Sequence, residues 1–138
     1  MKITVDTNVL VSATFWKGDP ERIITMAENK EIKLILSKDI LDEYMQVLEY
    51  PEIKDKVKDK GLIVNRTIEK IISISTIVEP KKKVKIVKAD PDDDRIIECA
   101  IAGKVNYIIS MDKHLLNLDY KDIPIITPSD FVKMLKKQ

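Results

Sequence analysis

An α/β fold is predicted for this chain, a three-layer α/β/α sandwich around a central parallel sheet. Short apolar, β-branched runs alternate with helical patterns from one end to the other, the signature of strand–helix–strand units. Those runs are continuously apolar instead of alternating with polar residues, as in strands covered on both faces. Length agrees with this: 138 residues with 44% hydrophobic content suit one domain, 1–138, without a linker, internal repeat or low-complexity segment. A chain of this size buries roughly two-thirds of the surface its unfolded form exposes, enough to fold without staples.

The elements follow in order. Lys2-Ile3-Thr4-Val5-Asp6 is a β-branched run ending in an acid and forms the first strand. Asp19-Pro20 opens a helix with an apolar face of Ile23, Ile24, Met26 and Ala27. Ile32 to Leu36 is a second buried strand. Ser37 caps the next helix, where Ile40, Leu41, Tyr44, Val47 and Leu48 fall on one face. A more polar helical stretch spans Pro51 to Thr76 and breaks at Gly61. Thr76–Glu79 and Val84–Val87 read as extended pieces around Pro80-Lys81-Lys82-Lys83. Pro91 opens a helix that closes near Gly103. Tyr107–Ser110 and Ile123–Ile126 are the last strands, and Thr127-Pro128 starts a final helix to Lys137.

Composition excludes several classes of function. There are 24 Lys+Arg against 23 Asp+Glu, a net charge of +1, so any charged partner must meet a local patch. One cysteine, Cys99, and one histidine, His114, exclude a disulfide framework, a cysteine-rich zinc site and a two-histidine metal motif. Three glycines, Gly18, Gly61 and Gly103, cannot write a phosphate-binding or dinucleotide loop. No apolar run nears the roughly 18 residues of a membrane span, and no signal-peptide pattern opens the chain. A soluble, cytoplasmic protein is expected.

Chemistry is carried by acids. Ligands of an open α/β sheet bind beyond the carboxyl ends of its strands. Asp6 ends the first strand, Asp94 lies in the first turn of the Pro91 helix, and Asp112 follows the Tyr107–Ser110 strand by two residues. Glu43 sits beside Val47 at the edge of its helix's apolar stripe, whereas Asp42 and Glu49 point to the solvated side. Carboxylates gathered in one crevice repel one another unless a cation joins them. Oxygen donors without His or Cys suit Mg²⁺ or Mn²⁺, ions that activate water and neutralise phosphate charge in phosphodiester cleavage. Each acid alone also has a plainer use, as a turn former or as a complement to a helix dipole.

These residues resemble the PIN domains, metal-dependent ribonucleases. The matching stretches are Ile3-Thr4-Val5-Asp6-Thr7-Asn8-Val9-Leu10, the helix bearing Glu43, Asp90-Pro91-Asp92-Asp93-Asp94-Arg95-Ile96-Ile97-Glu98-Cys99-Ala100, and Tyr107-Ile108-Ile109-Ser110-Met111-Asp112. Together they cover nearly the whole chain, and they look most similar to the branch of toxin components of toxin–antitoxin pairs. The resemblance implies that Asp6, Glu43, Asp94 and Asp112 bind one or two Mg²⁺ or Mn²⁺ ions, with Asn8 and Ser110 supporting the acids or the metal's waters. Helical geometry instead puts Asp93 in line with Ile96 and Ala100, so Asp93 is the rival to Asp94. An endoribonuclease acting on single-stranded or structured RNA is therefore expected, with a small antitoxin protein and a second copy of the chain as partners. A non-catalytic metal- or RNA-binding module and an aspartyl phosphohydrolase are the alternatives. The second is weakened because Asn8 stands where that chemistry wants a second acid.

Other features carry less. Lys81, Lys82, Lys83, Lys85 and Lys88 form a basic run that either guides a phosphate backbone or is a solvated turn. Lys17, Arg22, Lys113 and His114 are candidate phosphate contacts. Phe15 and Trp16 suit base stacking or, preferably, a subunit interface. Cys99 reads as a small core or interface residue and not a nucleophile.

Overall fold

The computed structural model describes residues 1–61, 63–81, 91–118, 120 and 122–137, with the side chains of 91–93 set aside. The chain starts with strand β1 (Lys2–Val5), helix α1 (Thr7–Phe15) and helix α2 (Asp19–Glu28). Strand β2 (Lys33–Ser37) leads into α3 (Lys38–Leu48), α4 (Pro51–Asp59), α5 (Val64–Ile74) and strand β3 (Ser75–Val78). Helix α6 (Pro91–Gly103), strand β4 (Tyr107–Ile109), helix α7 (Lys113–Leu116), strand β5 (Ile125–Ile126) and helix α8 (Pro128–Lys136) complete it. The expected extended piece at Val84–Val87 and Lys82, Lys83, Lys85 and Lys88 lie outside the described residues.

Five strands form one sheet in the order β3-β2-β1-β4-β5, and every pair is parallel. The chain steps outward from β1 through β2 to β3, then returns to the other side of β1 as β4. That reversal makes the β1/β4 boundary the switch point, where α/β sheets bind ligands. Because side chains alternate along a strand, each sheet face serves its own helical layer. Thr4 Oγ1 lies 3.6 Å from Cys99 Sγ of α6, so Thr4 faces α6, which packs across β1, β2, β3 and β4. Ile3, Val5, Leu34 and Leu36 are buried as well. Helices α1, α2, α3 and α8 pack on one another as the second layer. This is the α/β/α sandwich that the alternation of strands and helices implies.

Local chemistry sets the boundaries. Ser37 Oγ accepts from Ile40 N at 3.3 Å and caps α3, and Thr127 Oγ1 accepts from Asp130 N at 3.1 Å ahead of Pro128. Gly61 stops the α4 segment at φ +64°, its N–H donating to Lys58 O at 3.0 Å.

Several strand boundaries and two helices differ from the sequence expectation. The first strand ends at Val5, not Asp6, and the last comprises only Ile125–Ile126. Helix α1 is unexpected. Its Thr7, Val9, Leu10, Val11 and Phe15 are all buried, so it has no single apolar stripe to be read as a period, and its β-branched residues resemble a strand. Helix α7 is a single short turn that leaves almost no periodic signal.

Helix α6 ends tightly against β2. A Cβ at Gly103 would stand 2.5 Å from Ile35 Cγ2, so glycine is required by close approach. Gly103→Ala is expected to destabilise the protein by about 1–3 kcal/mol despite alanine's better helix propensity. A urea unfolding midpoint equal to or above that of the parent would contradict this packing account.

Candidate active site

The site is built where β1 and β4 end side by side. Asp6 follows β1 in an extended conformation, and its N–H still donates to Ile109 O of β4 at 3.1 Å. Its side chain then turns to cap α1, Oδ1 accepting from Val9 N at 2.9 Å. Asp112 repeats the pattern after β4: its Oδ1 accepts from His114 N at 2.8 Å and caps α7. Between them lies Ser110, fully buried. Its hydroxyl donates to Asp6 Oδ2 and accepts from Asp112 N at 2.9 Å. One serine thus links the backbone of one acid to the carboxylate of the other.

A crevice of about 40 Å³ opens above this pair, lined by Asp6, Thr7, Asn8, Ile40, Glu43, Ile96 and Asp112. That volume exceeds what a single water needs. Glu43 enters from α3, half-buried and one turn beyond Ile40. Asn8 is exposed on the first turn of α1. The two outward acids of α3's end behave as expected: Asp42 pairs with Lys38 at 2.9 Å, and Glu49 with Lys54 at 3.0 Å.

Asp6, Glu43, Asp112 and Asn8 are therefore brought together, with Ser110 beneath them. Asp94 is buried at 7% exposure in the first turn of α6 and has an interaction partner, but α6 lines the crevice with Ile96. Asp93 precedes Ile96 by three residues, and its side chain lies outside the described residues. His114 and Lys113 are exposed at the start of α7, as are Lys17 and Arg22, the last paired with Asp19 at 2.6 Å. Cys99 is buried, and burial pushes its thiol pKa up, the behaviour of a core residue and not of a nucleophile.

Burial also raises the Asp6 carboxyl pKa above its ordinary value. Hydrogen bonds from Ser110 and the backbone N–H groups of Val9 and Met111 oppose that rise, while the nearby Asp112 charge adds to it. A cation beside these acids would relieve both costs. The crevice offers carboxylate and amide oxygens, with neither a thiolate nor an imidazole among its lining residues, and this donor set fits Mg²⁺ or Mn²⁺ rather than zinc. Among the described residues, no three acid, His or Cys side chains are drawn tightly enough to enclose an ion.

A family model described as the PIN domain matches residues 2–114. The chain belongs to the PIN domain family. The matched span of this PIN domain contains every acid of the crevice, whereas β5 and α8 lie beyond it. No curated protein matches the chain. PIN domains are typically nucleases, hydrolases that act on nucleic acids, and typically use divalent metals. No helix among the described residues is long and apolar enough to cross a membrane.

Two supports went unread in the sequence. Tyr44 is fully buried, and its hydroxyl stands 2.6 Å from Thr14 Oγ1, which itself donates to Leu10 O at 2.8 Å. Tyr44 therefore donates to Thr14 and ties α3, bearing Glu43, to α1, capped by Asp6. A tyrosine in an apolar stripe carries no signal of such a tie. The second is Thr7, buried in the crevice wall.

The raised pKa of Asp6 has a thermodynamic consequence. A carboxyl with a folded-state pKa above its unfolded one contributes stability fully present below the unfolded pKa, lost as pH rises through the folded pKa. In chelator, Asp6→Asn is expected to be more stable than the parent at neutral pH, with the difference shrinking as the medium is acidified through Asp6's own titration. Denaturant titrations of both proteins across that range check this, and a difference that grows on acidification would contradict it.

Proposed function

We propose that this PIN domain, spanning 1–138, is a Mg²⁺- or Mn²⁺-dependent endoribonuclease that cleaves single-stranded or structured RNA. The observation that carries this is the crevice at the β1/β4 switch point, lined by carboxylates without a thiolate or imidazole, where Ser110 couples Asp6 to Asp112 and Glu43 lines the same space. Asp6, Glu43 and Asp112 would hold the ion, with Asp94 or Asp93 of α6 as the fourth acid. When bound, the ion supplies charge neutralisation at the scissile phosphate and a more acidic water. Ser110 keeps Asp6 and Asp112 oriented, and Asn8 offers an exposed amide at the crevice mouth. The acids' role is charge and geometry, with no covalent enzyme intermediate. An aspartyl nucleophile finds little support, because Asn8 stands where that chemistry wants a second acid as proton donor.

Likeness of Val5-Asp6-Thr7-Asn8-Val9-Leu10 and Ile108-Ile109-Ser110-Met111-Asp112-Lys113-His114-Leu115-Leu116 to toxin components supports the finer reading. In it the enzyme is a cytoplasmic toxin, a homodimer held inactive by a small antitoxin protein.

The test is cleavage of mixed-sequence single-stranded RNA in Mg²⁺, Mn²⁺ or EDTA, with Asp6→Asn purified in parallel to exclude contaminating nucleases. Metal-dependent cleavage is expected, reduced at least about 100-fold by Asp6→Asn or Asp112→Asn. Undiminished cleavage by Asp6→Asn would refute the assignment. Mn²⁺ is also expected to raise the parent's thermal midpoint, by about 2.7 kcal/mol of stabilisation at 100 times its Kd, and to do so much less in Asp6→Asn.

A further inference from the structure

Phe15 and Trp16 part company in the folded chain. Phe15 joins the core, while Trp16, the one tryptophan, is 48% exposed. Its ring meets Phe15 edge-on, with centroids 5.9 Å apart, and the Lys56 ammonium of α4 lies 4.1 Å from the ring centroid. Lys17, the next residue, is exposed.

Position relative to the crevice is what gives this pair meaning. Helix α1 is buried at Thr7, Val9, Leu10, Val11 and Phe15. Asn8 and Ser12, four residues apart, share one face of α1, and Trp16 follows four residues further on as its C-terminal cap. Asn8 lines the crevice, Ser12 is half-buried, and Trp16 ends the series. At 1.5 Å rise per residue, Trp16 lies roughly 15 Å along the helix from Asp6. A half-exposed aromatic ring with the Lys56 ammonium over it and Lys17 next in the chain, beyond the end of a polar stripe leading from carboxylates, has the parts of a single-strand binding surface. A buried subunit interface suits the ring less, since its neighbours Ser12, Lys17 and Lys56 are polar or cationic and their desolvation is costly.

We infer that Trp16 is a base-stacking subsite for single-stranded RNA, remote from the scissile bond, with Lys56 and Lys17 meeting the phosphates that flank the stacked base. This rests on the nuclease reading for the identity of the strand, but binding at Trp16 is measurable apart from cleavage. As the only tryptophan, it reports directly through its own fluorescence.

The experiment titrates Asp6→Asn, whose cleavage is expected to be reduced, with a single-stranded RNA of about 10 nucleotides in Mg²⁺. Trp16 emission and the anisotropy of end-labelled RNA are followed together. Quenching that tracks binding is expected, with affinity about 5- to 100-fold weaker in Trp16→Ala and largely restored in Trp16→Tyr. Binding by anisotropy without any change in emission would overturn the subsite. So would equal affinity of the Trp16→Ala variant. Emission that shifts with protein concentration in the absence of RNA would overturn it in favour of contact between two copies. Failure of the parent to cleave, with quenching intact, would remove the nuclease reading and leave the subsite standing.

Discussion

Parallel pairing of β1 with β4 is the constraint on which the rest of the site depends. Val5 is in register with Ile109, so Asp6 and Ser110 leave adjacent strands at the same level, separated by about one strand spacing. The pairing continues one step past β1, through Asp6 N to Ile109 O, while Ser110 N donates to Ile126 O of β5. Ser110 is thus held by the sheet and not by the acids it serves. From that fixed point its hydroxyl reaches Asp6 on one side and the Asp112 backbone on the other.

The two acids perform structural and electrostatic work with the same atoms. One oxygen of each caps a helix, Asp6 on α1 and Asp112 on α7. The N-terminal end of α1 favours the negative charge of Asp6, while burial and the neighbouring Asp112 oppose it. Asp6 is therefore buried at a cost to stability, with capping offsetting part of that cost. A cation beside the two acids would relieve that cost.

The remaining wall of the crevice is set by packing across layers. Tyr44 fastens α3 to α1 through Thr14, which brings Glu43 to the crevice that Asp6 lines. On the other face, Gly103 lets α6 settle against Ile35, and Cys99 meets Thr4. That seating sets Ile96 in the crevice lining and buries Asp94 two residues earlier on the same helix.

Residue order alone determined the fold class and the parallel sheet, and marked Asp6, Glu43 and Asp112 as crevice candidates, because period, capping residues and strand-terminal positions are local properties of a chain. Local signals also located α2, α3, α6 and α8, whose caps and apolar stripes are written within a few residues. Helix α1 was hidden because it is buried on nearly every side, so its amphipathic contrast vanishes. Tertiary structure alone decided that Ser110 bridges two acids, that Tyr44 ties the helix of Glu43 to α1, and that Phe15 turns inward while Trp16 meets Lys56. Each of those contacts joins residues distant in sequence, or separates neighbours, and so depends on strand order and layer packing that no local pattern encodes.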